Sequence, residues 1–487
     1  MTKPIGREGE LEILETVFKS KEAQFLAVYG RRRVGKTYLI SNFFKEKGVY
    51  FELTGIKNAK LNAQLLNFSE EFTDCFFEEK RQSVPKSWQQ AFTMLRRKIE
   101  SMDPKKKAII FLDELPWLAS KRSGFLPALD HLWNRYLSRQ SNVILIVCGS
   151  ATAWIIKKIV QDRGGFYGRL TGEINLKPYT LLGTENFFKV KNIELERKQI
   201  IELYLAFGGV PKYLNYLERG KSPAQSIQEV CFGSQGPLSL EFNRLFTSLF
   251  DDAEKHLKIV EALASSQSGL DQADIEQMTG LNSGGGFTEI LKELEASGFI
   301  SFIPNLGNAK RVGKYRLTDE YSLFYLTWIK PAFKEHLGNV SMNYWQQMQN
   351  SPRYHAWAGY AFESICLKHV NQIVASLGLS GIIFKVCGWF ARPQKGAPDE
   401  IGGQIDLVIE RSDHCTNLCE IKFSNAPFVI SKEYEEKLRK KKECYRQATK
   451  TKNTLFTTMI TPFGVVENAQ YFASVDKQIT MDALFEF

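Results

Sequence analysis

The chain has 487 residues, 44% hydrophobic and 24% charged, with 64 Lys and Arg against 54 Asp and Glu for a formal net charge of +10. Such a composition belongs to a folded protein of about three domains and excludes a disordered, fibrous or collagen-like chain. The mild basic excess favours polyanionic partners, and the absence of a bilayer-length apolar run or a signal-peptide core points to a cytoplasmic protein with no membrane partner.

In chain order, the first chemistry-bearing stretch is "QFLAVYGRRRVGKTYLISNFF". The apolar lead reads as a buried strand and the segment from Lys36 as the helix that follows. Between them Gly30, Arg31, Arg32, Arg33, Val34, Gly35, Lys36 and Thr37 fit GxxxxGK(S/T). In that motif backbone N–H groups wrap nucleotide phosphates, the lysine reaches the outer phosphates, and the threonine hydroxyl coordinates magnesium. Arg31, Arg32 and Arg33 are then expected to form a positive rim around the charged nucleotide.

A second apolar strand, "AIIFLDELPW", ends in Asp113 and Glu114, and a third, "NVILIVCGSAT", ends in Ser150. Ligands of parallel sheets sit beyond the C-terminal ends of the strands. Asp113 is therefore the expected magnesium ligand, Glu114 the residue that polarises the attacking water, and Ser150 a sensor of the γ-phosphate. Downstream, "RGGFYGRLTGEINLKPY" offers Arg163 and Arg169. Arg169 is the preferred arginine finger, acting within the chain or across the subunit boundary of a homo-oligomer.

The order "GREGELEILE", "YGRRRVGKT", "IIFLDELPWL", "LIVCGSAT", "GRLTGEINLKPY" and "YLAFGGVPKYL" resembles the archaeal-type ATPases, relatives of the AAA+ and signalling ATPases. The resemblance covers about the first half of the chain. It implies that Gly6, Arg7 and Glu8 lie near the nucleotide base, and that the turn Gly208 to Pro211 sits in a helical lid with Pro211 touching the nucleotide.

Residues 254–318 change character: "HLKIVEALASSQ", "DQADIEQMTGL" and "GGFTEILKELEASGFI" have the spacing of three short amphipathic helices. A hairpin with a basic, glycine-rich tip, "SFIPNLGNAKRVGKYRLTDE", follows. This order suggests a winged helix-turn-helix. Its third helix exposes Glu289, Glu293 and Glu295, which repel phosphate, so Lys310, Arg311 and Lys314 on the wing are the better DNA contacts. Protein docking or domain coupling is the competing role.

The C-terminal stretch "IGGQIDLVIERSDHCTNLCEIKFSN" reads as two neighbouring strands that bring Asp406 close to Glu420 and Lys422. Carboxylates converging on one spot bind magnesium, and an adjacent lysine orients or activates water. Glu363, on a helix in "YAFESICLKHV", is a candidate third acidic ligand. The arrangement resembles restriction-endonuclease-like nucleases, a domain that commonly follows the ATPase in the group named above. That resemblance implies metal ligation by Asp406 and Glu420, a catalytic Lys422 and an accessory Glu363. The nearby run Lys437, Arg439, Lys440, Lys441 and Lys442 is either a solvated helix face or a neutraliser of the DNA backbone.

The sequence thus predicts an α/β protein: a P-loop NTPase parallel sheet with a helical lid over 1–240, a winged-helix module over 241–335 and a restriction-endonuclease-like α/β domain over 336–487. The expected cofactors are ATP and magnesium (Mg2+), and DNA is the expected partner. The expected function is an ATPase whose nucleotide state controls a DNA nuclease; the alternative is a regulatory ATPase switch whose C-terminal domain binds nucleic acid or a partner without cleavage.

Overall fold

The computed structural model describes all residues except 1–3, 78–81, 163, 251, 306–311, 392–402 and 487. Arg163, Lys310 and Arg311 therefore lie outside the described residues. The chain divides into two compact units, residues 1–178 with 248–251, and residues 179–247 with 252–487.

The first unit is built on five strands: β1 (Gln24–Tyr29), β2 (Val49–Thr54), β3 (Ala108–Asp113), β4 (Val143–Gly149) and β5 (Gly172–Asn175). Their order is β2-β3-β4-β1-β5, and every pairing is parallel. All six residues of β3 and all seven of β4 are buried, as expected of strands covered on both faces. Alternate residues feed two separate cores. Phe25, Ala27, Ile110 and Leu112 pack with Trp133 on one side, while Leu26, Val28, Ile109 and Phe111 pack with Leu39, Ile40 and Phe44 on the other. Because β4 lies between β1 and β3, the C-terminal ends of these three strands meet. The expected α/β fold with a parallel sheet is what the structure has.

The second unit opens with helices Leu181–Val190 and Arg197–Phe207. Helices Ala253–Ala264, Gln272–Thr279 and Gly285–Ala296 precede an antiparallel hairpin, β6 (Ile300–Pro304) and β7 (Gly313–Leu317). The middle helix has a capped start, with Asp271 Oδ1 accepting from Asp274 N–H at 2.9 Å. It stops at Gly280, whose φ of 65° is the left-handed conformation that glycine adopts without strain.

Helix Pro352–Lys368 leads to a separate five-stranded sheet: β8 (Phe384–Ala391), β9 (Gly403–Arg411), β10 (Cys415–Ile421), β11 (Thr454–Ile460) and β12 (Lys477–Ile479). Its order is β12-β11-β10-β9-β8. Strands β8, β9 and β10 are antiparallel, while β10, β11 and β12 are parallel. A parallel β10–β11 pair demands a crossover, and helix Lys432–Thr449 supplies it, capped by Ser431. Among the described residues no helix is long and apolar enough to cross a membrane.

Candidate functional sites

The loop after β1 has the geometry of a phosphate cradle. Gly30 and Gly35 adopt φ of 143° and 93°, and a Cβ on Gly30 would lie 2.2 Å from the carbonyl oxygen of Leu176. The curl brings Lys36 back over its own loop: its buried Nζ donates to Gly30 O at 2.9 Å, Arg31 O at 3.0 Å and Ser150 Oγ at 3.1 Å. All three acceptors are neutral, and among the described residues no carboxylate forms an ion pair with Lys36. A buried ammonium without a counter-charge fits an incoming phosphate.

Thr37 and Asp113 supply adjacent hard oxygens, with Thr37 Oγ1 donating to Asp113 Oδ2 at 2.6 Å. The other oxygen, Asp113 Oδ1, accepts from Glu114 N–H at 2.8 Å, fixing the carboxylate plane. Such a donor set suits magnesium shared with phosphate oxygens. Glu114 has a left-handed backbone with φ of 46°, a conformation that costs a non-glycine residue on the order of 1–3 kcal/mol. In this pose its carboxylate accepts from Ser150, through Oγ at 2.7 Å and through backbone N–H at 3.1 Å. Ser150 therefore bridges Lys36 and Glu114.

The arginines differ from the expected rim. Arg31 is buried at 5% exposure, because the curl that presents its carbonyl to Lys36 turns the residue inward; Arg32 and Arg33 are half-buried. Arg7 Nη2 donates to Val34 O at 3.2 Å, tying the first helix to the loop. Arg169 is exposed in a turn, and none of the hydrogen bonds around Lys36, Asp113 and Glu114 reaches it. Pro211 belongs to the second unit and opens the helix Pro211–Leu214.

The second cluster lies where β9, β10 and two helices meet. Glu420, at 5% exposure, has three partners: Lys422 Nζ at 2.9 Å, Lys441 Nζ at 2.7 Å and Tyr434 Oη, which donates at 2.9 Å. Burial pushes its carboxyl up, but the two ammonium groups outweigh that and hold it below the usual range. Among the described residues Asp406 has no such partners, and its Oδ2 accepts only a long 3.5 Å contact from Ile421 N–H. Burial and the like charges of Glu363 and Glu420 push Asp406 up to about 7. Glu363 is also raised, by burial first, against the opposing pull of Arg316 and Lys422. Arg316 Nη2 meets its Oε2 at 2.8 Å.

Glu363 and Glu420 are thus close enough to Asp406 to raise its carboxyl, yet among the described residues no three His, Cys, Asp or Glu converge in a metal-holding set. The protein's own cations draw them apart, Arg316 taking Glu363 while Lys422 and Lys441 take Glu420.

Two surface expectations change. Of the basic run, Lys437 pairs with Glu433 at 3.0 Å, Lys441 with Glu420 at 2.7 Å and Lys442 with Asp476 at 3.4 Å. Arg439 pairs with Glu435. Among the described residues only Lys440 of the five has no ion pair, so the run is largely neutralised from within. Glu289 and Glu293 are half-buried rather than exposed, and buried His256 places Nε2 2.8 Å from Glu293 Oε2.

Sequence reasoning missed Arg316, Tyr434 and Lys441 as members of the second cluster. No local pattern marks Arg316. For Lys441, a clue exists in the crossover: a helix joining parallel strands β10 and β11 must pack back onto the sheet that carries Glu420.

Residues 5–217 match the sequence family described as an ATPase domain predominantly from Archaea. An uncharacterized protein of Methanocaldococcus jannaschii is 23% identical over 98% of this chain and 96% of its own length. An uncharacterized ATP-binding protein of the same organism is 44% identical over 45 residues, 9% of this chain and 76% of that protein. Among solved structures, a Walker-type ATPase of Pyrococcus abyssi is similar with a TM-score of 0.47 and 18% identity, over 66% of this chain and 96% of that one. Lys36, Thr37, Asp113, Glu114 and Ser150 all fall inside the segment, residues 5–217, that is similar to the ATPase domain found predominantly in Archaea.

Proposed function

We propose that the chain binds and hydrolyses ATP with magnesium, and that its nucleotide state controls a magnesium-dependent, DNA nuclease-like site in its C-terminal part. The three-module division at about residues 240 and 335 belongs to this reading. The observation that carries it is Lys36: a buried ammonium facing only neutral oxygens, beside the Thr37–Asp113 oxygen pair. The loop N–H groups and Lys36 bind the phosphates, Thr37 and Asp113 hold the metal, and Glu114 orients the attacking water once phosphate draws Lys36 and Ser150 away from their present partners. Arg169, being exposed, is available to a neighbouring copy in a homo-oligomer. Pro211 is the lid residue that responds to nucleotide.

In the C-terminal part, Asp406, Glu420 and Glu363 hold the metal and Lys422 orients the hydrolytic water. When bound, the metal supplies charge stabilisation at the scissile phosphate. DNA reaches this site with help from Lys314 on the hairpin. Phosphate release from ATP tests the first half: wild type turns over with magnesium, Glu114→Gln binds ATP without turnover, and Lys36→Ala shows no turnover and greatly weakened binding. Absence of wild-type turnover contradicts the proposal and leaves a chain that binds nucleotide for stability alone.

A second reading is favoured by one observation. Glu420 is already satisfied by Lys422, Lys441 and Tyr434, as suits a regulatory ATPase whose C-terminal sheet binds nucleic acid or a protein without cutting.

A further inference from the structure

Glu114 is held from the side of β2 as well as by Ser150. A non-glycine residue keeps a left-handed backbone such as its φ of 46° only where the surroundings over-determine it. Glu114 opens the short helix Leu115–Leu118, and Trp117 N–H donates to Glu114 O at 2.9 Å. Against this turn lies the end of β2. Thr54 is in register with Asp113, and Gly55 N–H donates to Asp113 O at 2.9 Å. A Cβ on Gly55 would stand 2.7 Å from Glu114 O and 3.0 Å from Trp117 Cβ, so a glycine here lets the two stretches of backbone touch.

One side chain joins these two stretches. Gln64 lies on helix Leu61–Phe76 and is 1% exposed. Its Oε1 accepts from Ile56 N–H at 3.1 Å, while its Nε2 donates to Ile56 O at 2.7 Å and to Trp117 O at 3.1 Å. A buried amide is tolerated only when hydrogen-bonded, and an apolar side chain of the same length would fill the space without that requirement. Nor does the helix depend on the amide for attachment, since Leu65, Phe68 and Phe72 bury it in the core. What the amide adds is direction: it fixes Trp117 against Ile56 and, through Trp117 N–H, fixes Glu114 O.

We propose that Gln64 is a positioning residue for ATP hydrolysis: it clamps the turn after β3 onto the end of β2 and so holds Glu114 in the strained backbone from which its carboxylate meets the attacking water. This inference rests on the role given to Glu114 above. A neighbouring bond supplies a control for mechanical loosening. Asn67 Nδ2, on the same helix, donates to Thr54 O at 2.9 Å and ties the helix to the same strand end without reaching the Glu114 turn.

The test is phosphate release from ATP by the full-length chain with magnesium, alongside titration of a fluorescent ATP analogue, with folding of each variant checked by circular dichroism and thermal unfolding. Gln64→Met keeps the side-chain length and loses all three bonds. It is expected to lower kcat about 10- to 100-fold, the scale for a misplaced reacting group, with the nucleotide Kd within about threefold of wild type. Asn67→Ala leaves kcat within about twofold. Should Gln64→Met fail to fold, Gln64→Asn, one methylene too short to span Ile56 and Trp117 together, is expected to show the same loss of kcat with Kd kept. Wild-type kcat in folded Gln64→Met or Gln64→Asn, while Glu114→Gln is inactive, overturns the inference alone. So does an equal loss in Asn67→Ala, or a Kd that weakens in step with kcat. A wild type without turnover, or a fully active Glu114→Gln, overturns the reading of Glu114 itself, and the inference with it.

Discussion

Ser150 Oγ donates to Glu114 Oε1 at 2.7 Å, while Ser150 N–H reaches the other carboxylate oxygen at 3.1 Å. The same hydroxyl oxygen accepts from Lys36 Nζ at 3.1 Å. A phosphate arriving at Lys36 therefore competes for the serine that restrains Glu114. Ser150→Ala removes the two hydroxyl links and leaves the backbone N–H bond to Glu114 in place. Since a hydrogen bond to a charged group contributes about 1.5–3 kcal/mol, ATP turnover should fall by about 10-fold or more while ATP affinity changes much less. Parallel phosphate-release and calorimetric titrations check this; unchanged turnover would show that the bridge has no part in the reaction.

Lys36→Ala removes the one ammonium in the cradle. Loss of a charge-assisted bond to phosphate should weaken ATP binding by roughly 100-fold. Normal affinity in a fluorescent-nucleotide titration would refute the role given to the loop.

Gly209→Ala probes the turn that receives the chain as it enters the second unit. Tyr179 N–H donates to Gly209 O at 2.7 Å, and a Cβ at Gly209 would lie 1.9 Å from the carbonyl oxygen of Tyr179. Backbone cannot yield as a side-chain tip does, so the substitution should destabilise the fold by about 1–3 kcal/mol or more. Urea unfolding with a midpoint equal to wild type would contradict the tight packing described here.

The convergence of Lys36, Asp113, Glu114 and Ser150 was largely legible in the sequence because these residues sit at or just past strand ends. Each of β1, β3 and β4 is an apolar run whose last residues, Gly30, Asp113 with Glu114, and Ser150, must emerge at one edge of a parallel sheet. The pairing of β9 with β10 was legible for the same reason, a local hairpin fixing Asp406 near Glu420. What escaped were links set by tertiary packing. Arg316 and Glu363 are 47 residues apart, and Lys441 reaches Glu420 only after the crossover helix folds back. Arg31 looked like surface charge because a basic triplet gives no sign of which member the loop turns inward.

Asp406 gives a pH signature. Its carboxyl is raised from 3.8 to about 7, so the folded state holds the proton more tightly than the unfolded one. The associated stability is present below about pH 4, is lost as pH rises through about 7, and stays lost above. Asp406→Asn removes that penalty. At pH 8 the variant should be more stable than wild type by on the order of 1–3 kcal/mol, with no advantage near pH 4. Magnesium should raise the melting temperature of wild type at pH 8 and not that of the variant. Parallel stability curves with no pH-dependent gap would contradict the burial of an uncompensated carboxylate.

The central claim, two phosphate-handling sites of which one controls the other, is tested most directly by cleavage of plasmid and single-stranded DNA with magnesium or manganese, with and without ATP, in wild type and Lys422→Ala. The account predicts cutting that requires Lys422 and changes with ATP. No cutting under any of these conditions, alongside intact ATP hydrolysis, would contradict it and establish the chain as a regulatory ATPase.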